Sequence, residues 1–324
     1  MKKSGIIRLA VIIVSSLILI FVTAVLLTER VQGLQADSVQ KKTRAMYDAA
    51  VSTESVKTVD TVVFEEDTDQ SKQGTETAEL LKAEEHESPV PSIAGDMLEL
   101  YETNPDLVGW IKAGDRIDYP VVLGDNRYYL KHDFYGKRTS NGNIFMNEAN
   151  TLFPRDDIWL IHGHNMKSGA MFGTLKKFMK YEYLCRYPVI TFRTIYDTED
   201  VYYTPVAAFN ASMHVDNRDY FNLVRIQFDD DSVDPNAPVT VPAEGATKRK
   251  SAEFHAYLDE IRSLSLWEPK TDVNEDDKII VLITCSYFQA NGRLMVVCRQ
   301  LRDGETPESI QALYADDPAS FNKK

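Results

Sequence analysis

The chain has 324 residues, 44% of them hydrophobic and 10% aromatic, so a fully disordered or fibrous protein is excluded. Its 36 basic and 49 acidic residues give a formal net charge of −13, which argues against a nucleic-acid partner. The three cysteines, Cys185, Cys285 and Cys298, include no CxxC pair, so they cannot supply a zinc site and allow at most one disulfide. Any functional cysteine is therefore expected to act singly.

The N-terminus combines a basic end with a long apolar run. Three basic residues precede the 19 uncharged residues from Leu9 to Leu27. At about 1.5 Å per residue, a helix of that length spans roughly 28 Å, close to the hydrocarbon thickness of a bilayer. We predict a cytoplasmic N-terminus over residues 1–8, a single transmembrane anchor over 9–27 and an extracellular remainder, since basic residues stay on the cytoplasmic side. A cleaved signal peptide is the alternative.

The segment after the anchor is acidic and poor in apolar residues. Residues 51–90 hold eleven carboxylates against three lysines, a net charge of −8. Because such a segment repels itself and has little surface to bury, it predicts an extended tether over 28–92. Transient helices are possible within this tether at 38–50 and 76–86.

The sequence becomes globular in texture at residue 93, and we predict one domain over 93–304 with a C-terminal tail over 305–324. A short amphipathic helix is predicted at 95–101, and further helical patterning is confined to inserts at 171–180 and 251–266. Runs rich in β-branched and aromatic residues occur at 117–122, 143–146, 158–162, 189–193, 201–209, 279–284 and 293–301. Many short strands with few helices predict a mainly β fold, a closed or nearly closed barrel.

The first candidate site is Cys285, which ends the apolar run 279–284 and precedes a polar turn leading to Arg293. A thiol at a strand end, beside a loop, is accessible to a substrate and held by a rigid frame. Such a thiol can serve as a nucleophile toward a carbonyl carbon. The alternative is that Cys285 only packs as a small buried apolar residue.

The second candidate site is the polar stretch that follows the run 158–162. Histidine is the side chain best suited to move a proton near neutral pH, and both His162 and His164 compete for that role. Asn165 could orient the histidine or a substrate. The spacing of the two histidines also suits a metal pair, but no carboxylate or third histidine accompanies them, so no metal site is predicted.

These motifs resemble those of the sortases, membrane-anchored transpeptidases of Gram-positive bacteria. The family's histidine motif is similar to Gly163–Met166. Its cysteine motif is similar to Leu282–Cys285, and its arginine corresponds to Arg293, eight positions after the cysteine. The three motifs occur in the family's order along the chain. The likeness extends over essentially all of residues 97–302. A helical insert at 251–264, before the cysteine strand, favours class B. The family commonly has threonine where Val281 stands, a change in the strand body that concerns packing.

The resemblance implies a closed sortase-like β-barrel of about seven to eight strands. It has an N-terminal helix and a helix-bearing insert before the cysteine strand, and a single transmembrane helix precedes it. In this reading Cys285 attacks a peptide carbonyl to form a thioacyl enzyme, and His164 moves the proton in each half-reaction. Arg293 holds the substrate backbone or the oxyanion. The residues expected to contact the substrate are Thr284, Asn165 and Ser286.

The resemblance also implies partners. These are secreted surface proteins that carry a C-terminal sorting signal, and an amine of a peptidoglycan precursor or of a pilin. No cofactor is implied. Two other functions stay open, a cysteine peptidase that releases the acyl group to water and a non-catalytic, membrane-tethered binding module. A disulfide between Cys185 and Cys298 also stays open.

Overall fold

Helices and strands are described here for residues 2–52, 91–213, 216–217, 220–222, 252–288 and 291–315 of a computed structural model. The helices are α1 (Lys2–Ser52), α2 (Leu98–Thr103), α3 (Asn126–Tyr129), α4 (Tyr181–Arg186), α5 (Ala252–Leu264) and α6 (Pro307–Ala315), with 3-10 helices at Gly95–Met97 and Leu175–Met179. The strands are β1 (Leu107–Ala113), β2 (Ile117–Leu123), β3 (Ile144–Met146), β4 (Ile158–His162), β5 (Ile190–Thr194), β6 (Tyr202–Ser212), β7 (Ile279–Cys285) and β8 (Gly292–Gln300).

The eight strands close into a barrel in the order β1-β2-β3-β4-β7-β8-β6-β5. The pairs β2–β3 and β4–β7 are parallel, and the other six pairs are antiparallel. Closure pairs every strand on both sides, which removes the exposed edges that an open sheet would present. The closed barrel predicted from the sequence is confirmed, and each of the seven predicted runs overlaps a strand.

Strand β1 is the one barrel strand that the sequence did not predict. Its seven residues are buried on both faces almost throughout, so they lack the polar alternation that marks a half-buried strand. Gly109 interrupts the run because a Cβ there would lie 2.3 Å from the carbonyl oxygen of Arg193 on β5. Glycine usually weakens a strand, and here it is explained by the close approach of the β1 and β5 backbones.

Two apolar layers lie on the two faces of β7 and β8. One set of alternate side chains fills the barrel interior, and it comprises Ile280, Leu282, Leu294, Val296 and Cys298. The other set packs on the outer face against α5, and it comprises Ile279, Val281, Ile283, Met295 and Val297. The predicted helical insert before the cysteine strand agrees with this arrangement. All three cysteines are free, so Cys185 and Cys298 do not form a disulfide.

Helix α1 is the longest element, and its first part is apolar. Its most apolar 18-residue window has a mean hydropathy of 2.9 and no buried side chain. Within the described ranges it is the one helix whose length and composition would allow it to cross a bilayer.

The structure differs from the predicted extended tether over residues 28–52, which continue α1 and pack against the barrel. Tyr47 is 3% exposed and stacks on Trp110 with the ring centroids 4.5 Å apart. Arg44 forms an ion pair with Asp118 on β2. The physical reason is that most of the carboxylates lie after residue 52, whereas this part of α1 has one face that the barrel can bury. Residues 53–90, with the possible helix at 76–86, lie outside the described residues.

The predicted C-terminal tail also differs over its first part, because α6 packs against the barrel domain. Ile310 and Tyr314 are each 1% exposed. The Tyr314 hydroxyl accepts a hydrogen bond from the backbone N–H of Lys270 at 3.0 Å, and Gln311 donates to the carbonyl oxygen of Cys185 at 3.2 Å. The apolar positions of this short helix are four residues apart, which is enough to bury one face.

We expect Tyr47→Ala to lower the free energy of unfolding by about 3 kcal/mol, because it removes a buried ring and the stacking of that ring on Trp110. Thermal unfolding of the full chain in detergent, followed by circular dichroism, measures the change. Tyr287→Ala is the matched control, since that ring is 79% exposed and its loss should leave stability within about 0.5 kcal/mol. Equal melting temperatures for the two variants would contradict the packing of α1 on the barrel.

Candidate active site

Cys285 and Arg293 face each other across the hairpin formed by β7 and β8. Cys285 is the last residue of β7, and the strand register pairs it directly with Arg293 at the start of β8. Directly paired residues share a face, with their Cβ atoms roughly 5 Å apart. The backbone N–H of Ser286 donates to the carbonyl oxygen of Gly292 at 2.9 Å and closes the hairpin. Both side chains are partly exposed, so one substrate group can reach the thiol and the guanidinium together.

The loop after β4, residues 163–165, runs along the end of β7 and is joined to it by three hydrogen bonds. The backbone N–H of Gly163 donates to Ile283 at 3.1 Å. The Thr284 hydroxyl donates to the carbonyl oxygen of Gly163 at 2.7 Å. The side-chain amide of Asn165 donates to the carbonyl oxygen of Cys285 at 2.8 Å. These bonds hold the loop with His164 next to the end of β7 with Cys285.

Gly163 is required for this close approach. A Cβ at this position would lie 2.9 Å from the ring of Phe172 and 3.3 Å from the side chain of Ile144. The chain then turns so that the backbone N–H of Phe172 donates to the carbonyl oxygen of His164 at 3.0 Å. A larger residue than glycine would push the loop away from β7, and with it the histidine.

The His164 ring is oriented by a backbone carbonyl. Its Nε2 lies 2.8 Å from the carbonyl oxygen of Leu130, and because a carbonyl only accepts, Nε2 carries the proton and donates. The neutral ring then has its lone pair on Nδ1, which is the atom left to act as a base. Among the described contacts, the ring makes no hydrogen bond to the Cys285 thiol.

Nε2 of His162 accepts a hydrogen bond, whereas Nε2 of His164 donates one. The backbone N–H of Ala149 donates to Oδ1 of Asn147 at 3.0 Å, so the Asn147 amide nitrogen faces His162 and donates to its Nε2 at 3.1 Å. The ring also stacks on Phe145 with the centroids 5.3 Å apart. Burial, and the nearby positive charge of Arg293, lower the pKa of His162 to about 4. His162 is therefore a neutral acceptor near pH 7, which favours His164 as the proton carrier.

The depressed pKa of His162 gives an expected pH dependence of stability. The unfolded chain binds a proton at His162 below about pH 6.5, whereas the folded chain does not until about pH 4. The unfolded state therefore binds more protons in this window, and the free energy of unfolding should fall as pH falls, by up to about 3 kcal/mol. Denaturant unfolding at pH 7, 5.5 and 4 measures the loss.

The matched variant for that measurement is His162→Gln, whose amide oxygen can still accept from Asn147 but does not titrate. Its stability should depend less steeply on pH between 6.5 and 4 than that of the wild type. Identical slopes for the two proteins would show that His162 is not the group responsible.

The three predicted substrate-contacting residues are all engaged within the protein. Thr284 is 2% exposed, and its hydroxyl donates to the carbonyl oxygen of Gly163, so the side chain presents almost no surface to a substrate. The Ser286 hydroxyl donates to Oδ1 of Asn210 on β6 at 2.8 Å. Asn165 orients the cysteine backbone, as described above. Each of them fixes the geometry of the loop that carries His164 or of the hairpin that carries Cys285 and Arg293.

Sequence reasoning missed several of the residues that support the site. Asn210 had a weak signal, since it is a polar residue directly after the apolar run 201–209. Leu130 had none, because it acts through its backbone carbonyl. Within the described ranges no three His, Cys, Asp or Glu side chains are grouped as a metal site would require.

Comparisons with known proteins agree with this architecture. No family model matches the chain. Sortase B of Listeria monocytogenes is 27% identical over 195 residues, which are 60% of this chain and 68% of that protein. Sortase B of Staphylococcus aureus is 26% identical over 207 residues, which are 63% of this chain and 73% of that protein.

The crystal structure of Staphylococcus aureus sortase B shares the fold. It superposes with a TM-score of 0.52 at 24% identity and covers 65% of this chain and 88% of the solved one. The likeness in sequence to two proteins named sortase B, and the fold shared with a solved sortase B, support a class B sortase, a family of cysteine transpeptidases.

Proposed function

We propose that this sortase cleaves a C-terminal sorting signal of a secreted protein and transfers the new acyl end to an amine. The observation that carries the proposal is the direct pairing of Cys285 with Arg293 across β7 and β8, with the His164 loop bonded along the end of β7. This arrangement supplies a nucleophile, a fixed cation and a proton carrier at one end of the barrel.

The first half-reaction uses all three side chains. The Cys285 thiol gives its proton to Nδ1 of His164, and the sulfur attacks the carbonyl carbon of the scissile peptide bond, for which the family resemblance implies a Thr–Gly or Thr–Asn bond. The negative charge that develops on the carbonyl oxygen is stabilised by the Arg293 guanidinium. As the tetrahedral species collapses, the C–N bond breaks and His164 delivers a proton to the departing amine. The product is a thioester between Cys285 and the substrate.

The second half-reaction reverses the direction of proton transfer. An acceptor amine attacks the thioester carbonyl and forms the new C–N bond, and His164 takes the amine proton. The C–S bond then breaks, and Cys285 leaves as a thiolate that regains its proton from His164. The acceptor is the amine of a peptidoglycan precursor or of a pilin.

Arg293→Lys is a demanding test of the role of the guanidinium. The substitution keeps the positive charge but removes the planar fork of donors that can bind an oxyanion or a peptide carbonyl in a fixed direction. We expect kcat/KM for peptide cleavage to fall on the order of 10²-fold, while the melting temperature changes little because Arg293 is partly exposed. Full activity of the lysine variant would mean that charge alone suffices.

The proposal includes the placement of the chain in the membrane. Residues 1–8 lie in the cytoplasm, residues 9–27 cross the bilayer, and the chain after them, with the catalytic domain over 93–304, lies outside the cell. Protease added to intact protoplasts should digest the barrel domain. Protection of the domain in intact cells, with digestion after lysis, would reverse the orientation.

Product analysis tests the reaction itself. A peptide with a Thr–Gly or Thr–Asn bond is incubated with the enzyme, with and without an added glycine peptide, and the products are identified by mass spectrometry. An amide of the acyl fragment with the glycine peptide is the expected product. Release of the free acid alone, at a rate that the amine does not change, would favour a hydrolase. Absence of cleavage and of any labelling of Cys285 by a thiol-directed analogue would favour a binding module.

A further inference from the structure

A cavity of about 300 Å³ lies between α1 and the loop that follows α3. Val31 and Leu34 of α1 line one wall, and Lys137, Arg138 and Asn141 of the loop line the other. Its lining includes neither Cys285 nor Arg293 nor His164, so it is separate from the proposed catalytic centre.

Asn141 leaves an unsatisfied acceptor at this cavity. The residue is 1% exposed, and its side-chain amide nitrogen donates to the carbonyl oxygen of Gln32 on α1 at 2.8 Å. That bond fixes the direction of the amide, and the other atom, Oδ1, is buried without a hydrogen-bond partner among the described residues. An unsatisfied buried acceptor costs about 1–3 kcal/mol, so a ligand with an N–H or O–H donor would be favoured here.

The depth of the cavity follows from the length of α1. Val31 lies four residues and Leu34 seven residues beyond Leu27, the end of the apolar run. At about 1.5 Å per residue, they are roughly 6 Å and 10 Å beyond the hydrocarbon edge, so Val31 lies at the level of the lipid headgroups and Leu34 just outside it. The barrel packs against this same helix, so the distance of the cavity from the hydrocarbon edge is the same whichever side of the membrane the barrel occupies.

The two walls have the chemistry of a lipid at that depth. Val31 is 51% exposed and Leu34 is 62% exposed, so an apolar surface continues past the hydrocarbon edge. Lys137 and Arg138 are exposed, and neither has an ion pair among the described residues. Asp133, which also lines the cavity, uses Oδ1 to accept from the backbone N–H groups of its own loop, at 3.0 Å and 2.9 Å. The two cations outnumber the one carboxylate.

We propose that this cavity binds the headgroup of a phospholipid that carries hydroxyl donors next to its phosphate, with phosphatidylglycerol as the representative. The phosphate lies against Lys137 and Arg138, a headgroup hydroxyl donates to Oδ1 of Asn141, and an acyl chain follows Leu34 and Val31 toward the bilayer. The site rests on the membrane anchor assigned to residues 9–27. It would fix the barrel against the membrane surface in one orientation.

Native mass spectrometry of the full chain in detergent tests the proposal. Phosphatidylglycerol and phosphatidylcholine with identical acyl chains are added separately, since the choline headgroup has no hydrogen-bond donor. We expect the wild type to retain phosphatidylglycerol roughly tenfold better, and Lys137→Gln/Arg138→Gln to lose this preference. Lys176→Gln/Lys180→Gln removes two exposed cations that do not line the cavity and should keep it.

Equal retention of the two lipids by the wild type, or an unchanged preference in Lys137→Gln/Arg138→Gln, would overturn the proposal. Asn141→Asp provides a second test, because it keeps the shape but places a negative charge at the cavity, and it should weaken retention of phosphatidylglycerol. Cleavage of a soluble peptide by each variant shows that the domain is folded. It also separates a failure of the lipid site from a failure of the proposed reaction.

Discussion

Cys285→Ala is expected to abolish turnover and to leave no covalent intermediate. In the proposed mechanism the Cys285 sulfur is the only atom that bonds to the acyl group, so no other side chain can take its place. We expect the rate of peptide cleavage to fall by at least about 10³-fold. Intact mass spectrometry after mixing with a peptide measures the acyl enzyme directly, and the wild type should gain the mass of the acyl fragment.

Cys298→Ala is the matched control for the loss of a thiol. Cys298 is fully buried in the barrel interior, and burial raises the pKa of its thiol well above the ordinary value, so it is not a nucleophile near neutral pH. This variant should keep the acyl enzyme and most of the activity, at a modest cost in stability. Turnover by Cys285→Ala, or loss of the acyl enzyme in Cys298→Ala alone, would show that the nucleophile was wrongly assigned.

The barrel could be predicted because local patterns mark most of its strands. Runs of β-branched and aromatic residues between turns located β2 to β8, and the three-and-four spacing of apolar residues located α5. Strand β1 was missed because it is buried on both faces and contains Gly109. Glycine is needed at that position because the backbone of β5 lies too close for a side chain. A contact between strands far apart in sequence leaves no local pattern.

In the part of α1 over residues 28–52, the sequence predicted no stable structure where the fold has a helix. The acidic, polar composition of residues 51–90 predicted a tether, and the prediction extended that tether back to residue 28, where few carboxylates lie. The helix is stabilised by tertiary contacts such as the stacking of Tyr47 on Trp110. Helix propensity is a local property of the sequence, so it gives no information about such contacts. A segment with only moderate propensity can still form a helix when one of its faces is buried against the rest of the protein.

At the proposed site, the sequence pointed to the candidate side chains but not to the residues that hold them in place. Cys285 and Arg293 are eight positions apart, and the register of β7 and β8 pairs them directly. The state of the two histidines depends on Leu130 and Asn147, which lie 34 and 15 residues away from their respective rings. Only the fold shows that one histidine donates to a carbonyl and that the other accepts from an amide.

That difference between the histidines leads to the second large expected effect. His164→Ala should lower the rates of acylation and of transfer to the amine, each by about 10²-fold to 10⁴-fold, because the same imidazole protonates the leaving amine and deprotonates the incoming one. Rapid-quench mass spectrometry measures acylation, and transfer is measured by adding a glycine peptide to the isolated acyl enzyme. A loss in one step only would mean that a second group carries the proton in the other.

His162→Gln is the control for His164→Ala, because it removes an imidazole two residues away while keeping an acceptor for Asn147. With a pKa of about 4, His162 is unprotonated at neutral pH and cannot deliver a proton to a leaving amine at a useful rate. Its replacement should therefore keep activity within about threefold, and the pH profile of kcat should be unchanged. If His162→Gln is inactive although folded by circular dichroism and His164→Ala is active, the proton carrier is His162, and the bond from His164 to Leu130 is only structural.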